Sequence, residues 1–303
     1  MSYLNLIRYP NLIMIMLIQL LIKFGLLIPL EVSTALDTPQ FIILVFASVC
    51  IAAAGNCIND IYDVQADRIN KPQSVIVGRN ISEKSADRLY ILLTLAGVGM
   101  GFYTSNVIGR PGFASIFIGV AALLYLYATY FKGMLLLKNL VVSLLVAFSL
   151  LIVILFDVYP AITSRISVTQ LHASKVILYY AVFAFCLNFI REIVKDVQDI
   201  NGDKNAGHKT LPIVIGRKRT RYIVFALITL SISMVIYFMY TFLYQYQFAV
   251  FYMLFLVVAP LLYTSIKAWS AETKKDFARL SLWLKGIMFS GMCSILLFGF
   301  LIL

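Results

Sequence analysis

The stretch Asn56-Cys57-Ile58-Asn59-Asp60-Ile61-Tyr62-Asp63-Val64-Gln65-Ala66-Asp67 follows directly on a largely apolar run, Phe41 to Ala54. Residues three and four apart share a helix face. Asn59, Asp63 and Asp67 are spaced by four, and Asp60 stands three before Asp63, so one stripe of the expected helix is an acid ladder. Like charges at this spacing repel, and holding them near lipid costs more still. The stretch therefore needs something positive beside it.

Outward from this point the chain is apolar throughout. Of its 303 residues 61% are hydrophobic and 13% charged, with a mean hydropathy of +0.91. That excludes an ordinary soluble domain. Several apolar runs approach the length of about 20 residues that a bilayer span requires. Alternating patterns of the kind that build a barrel are absent. The expected fold is an all-α polytopic membrane protein of nine transmembrane helices, near 10–31, 40–60, 87–108, 113–131, 138–157, 173–194, 220–242, 247–267 and 281–302. The first run is read as a true helix, because Leu30-Glu31-Val32 offers no small-residue cleavage site.

Charge gives the orientation. With Arg8 and the N-terminus inside, the inner segments hold 21 Lys and Arg and the outer ones only Arg110, Arg165 and Lys175, with Lys23 inside the first helix. This positive-inside pattern predicts an N-terminus inside and a C-terminus outside, in the cytoplasmic membrane. It also accounts for the net charge of +11 without nucleic acid as a partner. Cys50, Cys57, Cys186 and Cys293 show no paired spacing and read as small core residues.

Seven of the 14 acidic residues fall in two places. Glu192, Asp196, Asp199 and Asp203, spaced four, three and four, follow the sixth helix and form a second ladder. An even number of helices separates the two, so both face the cytoplasm. Asp63-Val64-Gln65 echoes Asp196-Val197-Gln198, and the nine residues Lys71 to Arg79 echo Lys209 to Arg217. This suggests one membrane domain with an internal repeat: two four-helix units, 1–132 and 133–267, and a ninth helix, around a central cavity. Such repeats place the working site at their interface.

Carboxylate and amide oxygens suit Mg²⁺, which characteristically takes a few carboxylates together with phosphate oxygens and water. Cations follow the acids: Arg68, Lys71 and Arg79 after the first ladder, Lys195, Lys204 and Lys209 in or after the second. The mixture points to a phosphorylated ligand held through metal. A lipid diphosphate fits, with its head at the polar rim and its isoprenoid chain between helices. Aromatic faces shelter an allylic cation. Tyr125, Tyr127, Tyr130, Tyr179 and Tyr180 are the candidates near the two sites. His208 reads as a loop residue, and Gly78 and Gly216 as turns.

These residues resemble a known family. Asn59-Asp60-x-x-Asp63-x-x-x-Asp67 and Lys195-Asp196-x-x-Asp199-x-x-Gly202-Asp203 look like the two aspartate-rich motifs of the UbiA superfamily of intramembrane prenyltransferases. Arg191 to Asp203, with Thr210-Leu211-Pro212 downstream, is similar to the digeranylgeranylglyceryl phosphate synthase-like group. The resemblance implies Mg²⁺ as cofactor and prenyl transfer from a polyprenyl diphosphate to a lipid acceptor such as geranylgeranylglyceryl phosphate. It implies that Asn59, Asp63, Asp67, Asp196, Asp199 and Asp203 hold metal and diphosphate, with Asp63, Asp67, Asp199 and Asp203 acting in catalysis. Lys71, Lys195, Arg79 and Lys132 would neutralise the diphosphate, and Asn56, Asp60, Tyr130, Lys138 and Asn139 would bind substrate.

One departure stands out. The group commonly continues its first motif Asn-Arg-Pro-x-Arg-Pro, and this chain reads Asn70-Lys71-Pro72-Gln73-Ser74-Val75, so a head-group contact differs. The rival enzyme reading is prenylation of an aromatic quinone precursor of the 4-hydroxybenzoate, dihydroxynaphthoate or homogentisate type. The rival from another class is a cation-coupled transporter, which would carry its acids near mid-helix.

Overall fold

The computed structural model describes residues 2–70, 73 and 75–301, and Lys71, expected at the site, lies outside them. Among the described residues the regular structure is helical. The long helices are α1 Tyr9–Leu27, α2 Thr38–Tyr62, α3 Glu83–Val107, α4 Pro111–Thr129, α5 Leu137–Ala161, α6 Val168–Gln198, α7 Arg217–Leu243, α8 Gln247–Ser270 and α9 Lys274–Phe298. All but α3 are long and apolar enough to cross a membrane, eight among the described residues where the sequence predicts nine. With no water in the bilayer core, helices are the way a chain of this composition satisfies its own backbone.

Polar residues fix where the helices start. Asp37 with Gln40, Ser167 with Gln170 and Thr273 with Asp276 form reciprocal capping boxes at the starts of α2, α6 and α9. The latter two set α6 and α9 starting earlier than expected, at 168 and 274 rather than 173 and 281. Lys285, counted above with an inner loop, therefore sits well inside α9.

Packing follows side-chain size. In α3, Gly97 and Gly101 face α2 and α4: a Cβ on Gly97 would come within 2.8 Å of Ile51, and one on Gly101 would run into the Phe117 ring. Small residues four apart let membrane helices approach closely. α6 is central, packing against α5, α7 and α9, while α1 touches α2, α5 and α9 and so closes the bundle around a cavity.

The expected continuous helix through each acid ladder is not what forms. α2 stops at Tyr62 and α6 at Gln198; Asp63 (φ −90°, ψ −4°) and Asp199 (φ −103°, ψ 10°) cap them, and short helices Val64–Asn70 and Ile200–Asn205 follow. Aspartate is a poor helix-interior residue, and repulsion one turn apart opposes continuation. Because both breaks fall on an aspartate, Asp63 corresponds to Asp199, Asp67 to Asp203 and Asp60 to Asp196. The Asp-Val-Gln echo seen in the sequence is out of register with this correspondence by three residues. The two short helices pack against each other.

Candidate active site

Five residues from α5, α6 and the segments beside them form the second half of the site. Lys138, at the start of α5, reaches Asp196 at 2.8 Å and Asp203 at 3.3 Å. Asn139 Nδ2 donates to the other oxygen of Asp196 at 2.9 Å. The His208 ring stands 3.4 Å from Asp203. Burial alone would push the Asp203 carboxyl up, but His208 and Lys138 outweigh it and hold it below the ordinary 3.8.

The first half is tied to the same connection between α4 and α5. Lys132 pairs with Asp63 and donates to Asn59 Oδ1 at 2.9 Å, and Asn59 Nδ2 donates to Asp63 at 3.1 Å. Burial lowers the Lys132 ammonium below its ordinary 10.5, an effect that Asp63 only partly offsets. One short loop thus sends a lysine to each ladder. This answers the electrostatic need that the acid stripe posed.

Asp60 and Asn56, expected to bind substrate, hold the N-terminal segment. Arg8 reaches Asp60 at 2.6 Å, and Asn56 Nδ2 donates to Ile7 O at 2.8 Å. Arg8 is held at φ +54°, which few residues with a side chain adopt. Burial would lower the Arg8 guanidinium, yet the Asp60 charge raises it above its ordinary value. Tyr130 is 66% exposed and does not line the cavity, and Arg79 sits on an exposed turn. Gly78 and Gly216 are turns with φ +78° and +84°.

Below the two ladders lies a cavity of about 310 Å³. Its rim carries Arg8, Asn56, Asn59, Arg191, Glu192, Lys195 and Lys285, and its depth is apolar and aromatic, with Phe117, Phe148, Phe183 and Phe238. Of the tyrosines singled out above, Tyr127 and Tyr180 face it, while Tyr179 packs on Phe238 and Phe242.

The donor chemistry fits Mg²⁺. The oxygens of Asn59, Asp63 and Asp67 and of Asp196, Asp199 and Asp203 are hard ligands. Beside Asp196, the Oδ1 of Asn139 is buried with no donor within reach among the described residues. No three His, Cys, Asp or Glu side chains among the described residues stand close enough to form a metal cage by themselves. Mg²⁺ does not require one, since it is usually bound through one or two carboxylates with substrate phosphates and water.

Comparison with known proteins gives the same family. Residues 20–289 match the UbiA prenyltransferase family. The chain belongs to this family. It is 36% identical over 197 residues to a digeranylgeranylglyceryl phosphate synthase of Korarchaeum cryptofilum, a match covering 64% of this chain and 63% of that protein. It is 31% identical over 235 residues to a digeranylgeranylglyceryl phosphate synthase of Pyrococcus abyssi, covering 77% of this chain and 76% of that one. It shares its fold with a UbiA homologue from Archaeoglobus fulgidus bound to GPP and Mg²⁺, at a TM-score of 0.60 and 17% identity over 97% of this chain and 99% of that one.

UbiA membership makes the chain an integral membrane protein and a prenyltransferase, and it sets the transporter reading aside. Some rim residues escaped sequence reasoning in this role. Arg191, Lys285 and Asn11 read as an inner-loop cation, a second such cation and an unremarked amide. Their convergence depends on how α1, α6 and α9 meet, which no local pattern encodes.

Proposed function

We propose that this UbiA-family protein transfers a prenyl group, geranylgeranyl by analogy with its relatives, from a polyprenyl diphosphate to a lipid acceptor such as geranylgeranylglyceryl phosphate, releasing diphosphate in a Mg²⁺-dependent reaction. The observation that carries this is the pair of acid motifs, each held by a lysine from one loop, above an apolar cavity. Asn59, Asp63 and Asp67 on one side, and Asp196, Asp199 and Asp203 on the other, hold Mg²⁺. When bound, the metal neutralises charge that builds on the departing diphosphate.

The protein's own groups do the rest. Lys132, Lys138 and Lys195, with Lys71 and Arg79 from the following segment, complement the diphosphate head. The C1–O bond of the allylic diphosphate breaks, and its electron pair leaves with the diphosphate. The face of Tyr127 shelters the positive charge at C1, and Phe117 and Phe148, deeper in the cavity, line the space for the isoprenoid chain and keep water away. The acceptor hydroxyl oxygen then bonds to C1, giving an ether, and its proton passes to the departing diphosphate.

Two points of architecture belong to the same reading. α3 is the ninth span: its 25 residues reach far enough, and its glycine face is packed against α2 and α4. The N-terminus and both motifs face the cytoplasm, supported by 20 inner cations, with Lys285 set aside, against three outer ones. The correspondence of Asp63 with Asp199 supports the two-unit repeat.

Incubating the purified protein with labelled geranylgeranyl diphosphate and separate acceptors tests the reading. Label should enter an ether of the glyceryl phosphate lipid. Label found only in an aromatic quinone precursor would overturn the lipid acceptor.

A further inference from the structure

The charges around the cavity do not balance, and the surplus is positive. Among the described residues lining it, Glu192 is the sole carboxylate, beside Arg8, Arg191, Lys195 and Lys285. Arg8 is taken by Asp60. Glu192 lies 2.6 Å from Lys195 and 3.7 Å from Arg191, so one acid serves two cations. Lys285 Nζ rests on a neutral group, Asn11 Oδ1, at 3.0 Å. The Nε of Arg191 is buried and finds no acceptor among the described residues. Lys285 is half-buried and the Arg191 side chain 16% exposed, and a buried guanidinium donor ordinarily finds an acceptor.

The position of this surplus separates it from the diphosphate clamp. Arg191 precedes Asp196 by five residues and Asp199 by eight, about 7.5 and 12 Å along α6. Asn11 is in the first turn of α1, at the depth where lipid head groups lie in a chain oriented as proposed. Arg191, Asn11 and Lys285 come from α6, α1 and α9, three helices that meet at one side of the cavity.

We propose that Arg191, Lys285 and Asn11 form the subsite for the phosphate monoester of the acceptor lipid, apart from the donor's diphosphate site. The assignment rests on the reading of the protein as a prenyltransferase acting on a lipid acceptor. A phosphate monoester carries close to two negative charges and matches two cations that share less than one carboxylate. The planar Arg191 fork suits two phosphate oxygens, with Lys285 as a point charge opposite. An aromatic carboxylate would bring one charge and leave the surplus standing. The subsite would hold the acceptor by its head at the rim, its hydroxyl directed toward the motifs and its chain in the apolar depth.

Binding and turnover are measured separately. In detergent, without donor, geranylgeranylglyceryl phosphate should raise the Tm of the wild-type protein, and the corresponding dephosphorylated alcohol and 4-hydroxybenzoate should not. Lys285→Gln and Arg191→Gln should abolish that shift, and Lys285→Arg should keep most of it, with unliganded Tm values checking that each variant is folded. In turnover, Lys285→Gln should raise KM for the phosphorylated acceptor about tenfold or more. KM for the diphosphate donor should be unchanged. The subsite is overturned if the phosphate lipid gives no shift with wild type, if the Lys285→Gln protein shifts as much as wild type, or if donor KM rises as far as acceptor KM. A normal shift without label transfer to that lipid would instead overturn the functional reading and leave the phosphate subsite standing.

Discussion

Lysine–aspartate pairs occur at both ends of the bundle, and they are built differently. At the end away from the motifs, Lys23 meets Asp157 at 2.8 Å, with the two side chains 4% and 0% exposed. The ammonium of Lys23 also donates to Thr34 Oγ1 and Leu36 O, both at 2.9 Å, and Asp157 accepts from Leu36 N at 2.9 Å. All three donors of that lysine are used, and they pin the connection between α1 and α2. At the motif end Lys138 serves two carboxylates, and Lys132 one carboxylate and an amide. There each lysine meets two oxygens among the described residues, one fewer than its three N–H donors. A saturated pair stabilises one geometry, whereas lysines with a donor to spare can take on the oxygens of a diphosphate. The residue types are the same; what separates structure from chemistry is the count of donors against acceptors.

The sharpest way to break this comparison is to neutralise the motif acids. Asp63→Asn and Asp199→Asn should each reduce diphosphate release by about a thousandfold or more, with the folded protein retained. A direct assay of released diphosphate on protein of normal Tm checks this, and survival of release in both variants would sink the metal-site assignment.

At the other end the expected loss is in stability. Lys23→Ala leaves the Asp157 carboxylate buried without its partner, and such changes cost about 3–5 kcal/mol. Unfolding in detergent measures it. If Lys23→Ala instead removed activity from a protein of unchanged stability, the contrast between the two ends would fail.

A smaller effect should follow Asn139→Ala, because Asn139 orients Asp196 and does not itself need to meet the substrate. Groups that orient metal ligands typically change metal affinity about 10- to 100-fold. The Mg²⁺ concentration for half-maximal activity should rise accordingly, while KM for the acceptor stays within about twofold.

The smallest expected effect concerns Asp203. Its folded pKa lies below 3.8, so the stability it contributes is fully present above that value and is lost as pH falls through the lower folded one. In EDTA, the gap in stability between wild type and Asp203→Asn should be on the order of 1 kcal/mol at pH 6 and should close below the folded pKa. A gap that widens in acid would reverse the assigned sign.

Membrane class and helical fold were legible in the sequence, as were the two motifs. Long apolar runs must become helices in lipid, since no other local arrangement satisfies the backbone. Acid ladders at helix ends stand out because their repulsion demands a counterpart. Lys132 and Lys138 were also visible, placed between Tyr130 and Asn139 in one short loop. Their division, one to each ladder, was not. Asp60 and Asn56 were legible as part of the motif's helix, but their contacts with Arg8 and Ile7 O of the N-terminal segment were not.

The sequence by itself determined the class of solvent, the helical fold and the two acid motifs, because hydropathy and charge spacing act over one or two turns. Only the tertiary structure decided where each ladder breaks, which lysine each ladder receives, and that Arg191, Asn11 and Lys285 meet at the cavity. Those outcomes depend on how helices far apart in the chain pack, and on how many donors and acceptors then face each other. Local spacing carries no record of either.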